Sequence, residues 1–192
     1  MTEELKVGEK IKLLREKKKL SLQDLADKSG FTSAVINQIE NHMISPPLGT
    51  IFKVARALEV EPGYFFLEKP KAPFSIVRHE ERTAVSRVAS KEGVSYGYSY
   101  ESLGADKKGR HMEPFIVTLE PESIKHVKPS THNGEEFIFV LEGEMDVALG
   151  DHTDTLKPGD SIYYDSTTPH KVTARGDKPA VILAVIYAGT VK

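Results

Sequence analysis

The stretch Ser21-Leu22-Gln23-Asp24-Leu25-Ala26-Asp27-Lys28-Ser29-Gly30-Phe31-Thr32, continued by Ser33-Ala34-Val35-Ile36-Asn37-Gln38-Ile39-Glu40-Asn41, reads as two short helices joined at a glycine. Ser21 suits an N-cap, because its hydroxyl can accept from a free amide of the first turn. Leu22, Leu25 and Ala26 follow at helical spacing. Ala26 is small where two helices must cross closely, and Gly30 can take the left-handed conformation a tight turn requires. Thr32 or Ser33 can cap the second helix, whose Val35, Ile36 and Ile39 share one face while polar residues occupy the other.

Working outward, Val7, Ile11 and Leu14 form an apolar stripe at i, i+4 and i+7, which predicts a preceding helix. Pro46 and Pro47 break the chain, Ile51, Val54, Ala55 and Leu58 predict a fourth helix, and a short turn over 62–66 closes the bundle. Near residue 70 the pattern changes. Glu68-Lys69-Pro70-Lys71-Ala72-Pro73 reads as a semi-extended linker. Beyond it, short strands are predicted at 74–77, 94–100, 115–119, 136–141, 145–149, 161–164, 171–173 and 180–187, punctuated by turns such as Pro158-Gly159-Asp160. Many short strands with Gly and Pro turns mean a sandwich or barrel. The reading is an α+β, two-domain chain: an all-α bundle over 1–68, a linker over 69–75 and an all-β barrel over 76–192. Phe137-Ile138-Phe139-Val140-Leu141 and 181–187 are apolar on both faces. A strand with one wet face would alternate, so the outer face is expected to meet another sheet or a second subunit, giving a homodimer or higher homo-oligomer.

Composition sets limits. The 192 residues are 39% hydrophobic and 28% charged, with a formal net charge of −2, so nucleic-acid binding requires a local arrangement of charge rather than bulk attraction. There are no cysteines, which removes disulfides, thiolate metal sites and cysteine nucleophiles. Residues 1–19 are charge-rich without the apolar core of a signal peptide, and no window is apolar enough to span a bilayer. The expectation is a cytoplasmic protein with no membrane partner.

The motifs Leu25-Ala26, Gly30, Ile36, Ile39-Glu40-Asn41, Pro46, Ala55-Arg56-Ala57-Leu58 and Phe65 together resemble the Xre/Cro/C1-type helix-turn-helix regulators over roughly residues 5–67. In such a domain the third helix enters the major groove of double-stranded DNA, and dimers bind palindromic sites. The resemblance implies that Thr32, Ser33, Ala34, Asn37 and Gln38 face DNA, with Gln23 on a phosphate. Such a bundle can also serve as a scaffold, and Lys17-Lys18-Lys19 reads either as a phosphate clamp or as a solvated helix end.

In the second half, His132 and Glu136 are four residues apart, which on an extended strand places them on one face. A third ligand from a neighbouring strand would complete a two-imidazole, one-carboxylate set suited to Fe(II), Mn, Ni or Zn. Ser130-Thr131-His132-Asn133-Gly134-Glu135-Glu136 with Gly143, and Pro158-Gly159-Asp160 with His170, resemble the two cupin motifs over roughly residues 110–188. The resemblance implies a jelly-roll barrel and a three-ligand site of His132, Glu136 and His170, with Ser130 where the family's first histidine stands. The same residues can instead line a metal-free pocket for an organic ligand. Tyr96, Tyr98 and Tyr100 alternate along one strand, where they either pack the barrel or, as Tyr98 and Tyr100 beside Ser130, wall a ligand pocket. His42, His79, His111, His126 and His152 show no ligand spacing.

A repressor-type head on a cupin body implies a DNA-binding transcriptional regulator rather than an enzyme, with no catalytic residues and a small-molecule effector that shifts operator affinity. The alternative is a mononuclear non-haem iron oxidase using the head as scaffold. The chain is similar to the hydroxypropylphosphonate epoxidases, which are iron enzymes, at Lys19, Tyr98, Tyr100, Ser130, His132, Glu136 and His170. It departs from them at Lys91-Glu92, where their phosphonate-holding arginine falls, and at Pro129, where they have asparagine.

Overall fold

The computed structural model describes residues 6–44, 46–66, 72–82, 84–89, 95–121 and 129–187, giving the backbone alone for 62, 84–89 and 95–97. The expected linker core around Pro70, the Lys91-Glu92 pair and His126 lie outside the described residues.

Four helices lead: α1 (Val7–Lys17), α2 (Leu22–Ser29), α3 (Ser33–Glu40) and α4 (Leu48–Ala57), followed by a 3-10 turn over Pro62–Phe66. The joints form as their chemistry dictates. Ser21 accepts from the Asp24 amide while Asp24 accepts from the Ser21 amide, a reciprocal capping box. Gly30 closes α2 in the left-handed region at φ 75° and ψ 21°. Thr32, not Ser33, is the cap of α3, accepting from the Val35 amide. Ile11, Leu25, Ala26, Ile36, Ile51, Val54, Ala55, Leu58 and Phe65 are all buried at the centre. Beside them Arg15 is clamped, its Nε and Nη2 donating to the Glu40 carboxylate at 2.6 and 2.8 Å and its Nη1 to the Leu20 carbonyl at 2.9 Å.

Nine strands follow: β1 (Ala84–Ala89), β2 (Ser95–Ser102), β3 (Met112–Leu119), β4 (Glu135–Glu142), β5 (Met145–Leu149), β6 (His152–Leu156), β7 (Ser161–Asp165), β8 (His170–Ala174) and β9 (Ala180–Tyr187). They make a six-stranded sheet in the order β1-β2-β3-β9-β4-β7 and a three-stranded sheet in the order β6-β5-β8. Both are antiparallel throughout. Phe115, Val117, Ile138, Val140, Met145, Val147, Ile182 and Ala184 fill the interior.

Two elements differ from the sequence reading. Residues 74–77 are not a strand, and Phe74 and Ile76 are exposed. β1 and β6 are strands that the apolar pattern did not announce, β6 being polar and largely exposed.

The two-sided apolar strands are real. Pro114 faces Val185, which faces Phe137, which faces Tyr163, and in the next row Ile116, Leu183 and Phe139 are in register. All but the exposed Tyr163 are half-buried, and Met112, Leu141 and Tyr187 are exposed beside them. The outer face of the large sheet is therefore apolar across four strands.

The helices sit directly on the barrel. Phe66 packs edge-on against Phe115 with ring centroids 4.7 Å apart. Tyr100 Oη, fully buried, donates to the Pro46 carbonyl at 2.7 Å. These contacts hold the N-terminal end of α4 over the barrel mouth.

Candidate functional site

The barrel's interior chemistry gathers at that mouth. Among the described residues, His132, Glu136 and His170 form a cluster whose donor atoms all lie within 4.8 Å of one another, each residue buried. Glu136 stands on β4 and His170 opens β8. His132, however, is not on the strand. It lies in the loop before β4, fixed by its amide donating to the Ser166 carbonyl at 2.9 Å. The expected shared face of one extended strand is thus replaced by a loop that returns the imidazole to the same point. His132 Nε2 is 3.7 Å and His170 Nε2 3.8 Å from Glu136 Oε2.

The backbone sets the state of both rings. His170 Nδ1 lies 2.8 Å from the Thr168 carbonyl and His132 Nδ1 lies 3.1 Å from the Asn133 carbonyl. A carbonyl only accepts, so each Nδ1 carries the proton and each Nε2 turns a lone pair inward. Burial lowers the His170 pKa, against the opposing pull of the Thr168 carbonyl and Glu136, and so favours the neutral ring that a metal requires. Ser130 Oγ is 3.0 Å from His170 Nε2, and Tyr164 Oη donates to Glu136 Oε2 at 2.8 Å. His132 Nε2 is buried without a hydrogen-bond partner.

An orphaned buried nitrogen is costly unless something completes it. Ligand bonds of about 2.0–2.2 Å would draw these donors closer together than they now stand. The residue set therefore fits a divalent metal, through two imidazole nitrogens and a carboxylate, with further positions open.

Tyr98, Tyr100 and Ser130 line a pocket with Glu136 and His170. Burial, ahead of the Glu136 charge, raises the pKa of Tyr98, and burial does the same for Tyr100 and Tyr164, so all three phenols stay protonated donors. Tyr98 Oη donates to the Val172 carbonyl at 3.1 Å. The space there is about 40 Å³, room for an ion and one or two atoms of water or ligand.

Sequence reasoning missed the pocket's roof. Pro47, Leu48 and Gly49 of the helical domain line it. Phe52 lies against His132, with ring centroids 5.6 Å apart, and Lys53 Nζ donates to Thr131 Oγ1 at 3.2 Å. The signal was Phe52, a bulky apolar residue off the stripe of Ile51, Val54, Ala55 and Leu58. It shows that α4 has a second buried face. Lys19, matched by the iron-enzyme resemblance, is exposed just beyond α1 with φ 57°. Lys53, by contrast, reaches the loop that carries His132.

The remaining site residues lie on the opposite side of the helical domain's logic, on its surface. Thr32, Ala34 and Asn37 are exposed on α3, Ser33 and Gln38 half-exposed, and Ile36 and Ile39 buried on the other edge. Asn41 Nδ2 donates to Asn37 Oδ1 at 2.8 Å, orienting its amide. Gln23 is exposed on α2 with its amide donating to Asp27 at 2.7 Å. Lys18 pairs with Glu59 at 3.3 Å. No described helix is long and apolar enough to cross a membrane.

A helix-turn-helix family model matches residues 11–65, and a cupin-domain model matches residues 115–186. The chain is 26% identical over 195 residues to the HTH-type transcriptional regulator PuuR of Escherichia coli K12, covering 98% of this chain and 96% of that protein. It is 33% identical over 103 residues to (S)-2-hydroxypropylphosphonic acid epoxidase of Streptomyces wedmorensis, covering 50% and 52% of the two chains. The solved structure of an HTH_3 family transcriptional regulator from Vibrio cholerae has the same fold, with a TM-score of 0.60 at 24% identity over 96% of each chain.

Proposed function

Given a chain that joins an N-terminal helix-turn-helix domain to a C-terminal cupin domain, we propose that it is a cytoplasmic, sequence-specific DNA-binding transcriptional regulator whose barrel senses a small ligand. The observation that carries this reading is the division of α3. Thr32, Ala34 and Asn37 are exposed along one edge while Ile36 and Ile39 are buried along the other. Such a helix offers its side chains to a groove without disturbing its core. Asn37 and Gln38 suit base edges, Thr32 and Ser33 suit bases or phosphates, Ala34 suits a thymine methyl, and Gln23 suits a phosphate.

The apolar outer face of the large sheet supports a homodimer, which would set two copies of α3 on a palindromic site. His132, Glu136 and His170 would hold a divalent metal, whether Fe, Mn, Ni or Zn. An ion held there would offer an effector's oxygen or nitrogen a Lewis-acid partner. Tyr98 and Tyr100, with Ser130, wall the space where that effector would lie. Domain limits of 1–68 and 76–192 about a 69–75 linker fit the element order.

The test is a fluorescence-anisotropy titration of full-length protein against labelled duplexes from the DNA flanking its own gene, at several salt concentrations. The expected result is one duplex preferred by about 10³-fold or more over the rest, with log K falling linearly as log salt rises. No preference at any salt sinks the regulator reading. The ligand triad and the partial similarity to an epoxidase favour a second reading, oxidation at an iron site. Under it, the Fe(II)-loaded protein consumes oxygen in the presence of an oxidisable substrate, and His132→Ala does not.

A further inference from the structure

We propose that α4 is a wall shared by the two domains, through which a metal at His132, Glu136 and His170 repositions α3, with Lys53 as the residue that carries the coupling. The inference rests on the regulator reading and adds the route by which the pocket reaches DNA.

The first contact is at Gly49. A Cβ built there would lie 2.8 Å from His132 Cδ2 and 3.1 Å from Ser130 Oγ. Only a glycine lets the helix backbone rest on the ligand loop so closely. With a metal held by His132, Glu136 and His170, both neighbours would be disturbed. The His170 Nε2 lone pair, 3.0 Å from Ser130 Oγ, would be taken up, and that hydroxyl would turn to another partner beside Gly49. The His132 ring, 3.7 Å from Glu136, would be drawn toward it.

The second contact is at Lys53, one turn further along the same face. Its Nζ lies 3.2 Å from Thr131 Oγ1, on the residue between Ser130 and His132. The same Nζ lies 5.7 Å from the centroid of the Phe31 ring. A cation at that distance is held by the ring's negative face. Phe31 sits between the left-handed Gly30 and Thr32, the cap of α3. One ammonium group therefore meets both the loop that carries His132 and the turn that leads into α3.

α4 cannot absorb a shift by deforming. Ile51, Val54, Ala55 and Leu58 are buried in the helical core, so the helix moves with its neighbours. A displacement of the ligand loop of a few tenths of an ångström thus becomes a tilt of the head, and in a dimer a change in the spacing of two recognition helices.

The test compares full-length wild type, Lys53→Met and Lys53→Arg with Mn(II) and with chelator. Affinity for the preferred duplex, Mn(II) affinity by calorimetry and amide hydrogen exchange over residues 33–40 are all measured. In wild type, Mn(II) is expected to change duplex affinity at least about 5-fold and to alter exchange in α3. In Lys53→Met, Mn(II) affinity and metal-free duplex affinity stay within about 2-fold of wild type, while the Mn(II)-dependent change in both readouts collapses. Lys53→Arg keeps most of it. A wild type indifferent to Mn(II) in both readouts overturns the proposal, as does a Lys53→Met protein that responds fully. Equal weakening of duplex binding with and without metal also overturns it, by making Lys53 a DNA contact. If no duplex is preferred, the regulator reading fails on its own, and the exchange data alone decide the coupling.

Discussion

Among the described residues, Arg110 and Glu113 form a buried pair in the barrel, and two further buried groups of titratable side chains, one in each domain, are completed to different degrees. In the helical domain Arg15 and Glu40 satisfy each other with two short hydrogen bonds, and the Leu20 carbonyl takes a third. In the barrel, His132, Glu136 and His170 converge at distances too long for hydrogen bonds to one another, and His132 Nε2 has no partner. A buried charge pair that is fully satisfied fixes how α1 and α3 meet, and needs nothing further. A buried donor set whose members do not satisfy one another is suited to hold an ion. The same physics therefore separates a structural cluster from a functional one.

Breaking the finished cluster should have the largest effect. Glu40→Ala leaves Arg15 charged and buried, at a cost of about 3–5 kcal/mol, read as a lower denaturant midpoint. A loss under about 1 kcal/mol would mean that Arg15 escapes to solvent. Completing the open cluster should stabilise. At 100 times its dissociation constant, Mn(II) should raise unfolding stability by about 2.7 kcal/mol in wild type and have no effect on His132→Ala. The surface of α3 should behave unlike either. Asn37→Ala should cost about 1–3 kcal/mol of operator affinity and relax preference at one base position. Its unfolding stability should stay within about 0.5 kcal/mol of wild type. The smallest effect is expected at Ser130, whose hydroxyl competes with metal for His170 Nε2. Ser130→Ala should tighten Mn(II) binding by about 0.5–1.5 kcal/mol, measured by calorimetry.

The same contrast explains what the sequence could tell. The helical domain was legible because its signals are local. Ser21, Gly30 and the 3.6-residue stripes each act within a turn or two of where they stand. The cluster of His132, Glu136 and His170 was legible as residue types, but not as geometry. His132 reaches Glu136 from a loop rather than along β4, and only the fold brings His170 to them. β6 escaped notice because an exposed, polar strand carries no apolar alternation, while Phe74 and Ile76 gave residues 74–77 the look of a strand without a sheet to join. The roof of the pocket was least legible. Gly49 and Lys53 act across 81 and 78 residues of chain from Ser130 and Thr131. Phe52, off the main stripe, was the one local trace of that contact.

The most direct test of the regulator reading is selection of random duplex DNA on the full-length protein, with the enriched pool sequenced for wild type and for Asn37→Ala. A palindrome with half-sites about one helical turn apart, altered in Asn37→Ala at symmetry-related positions, is the expected result. Recovery of an unenriched pool at low salt would contradict it and leave the open cluster to be explained as the centre of an enzyme.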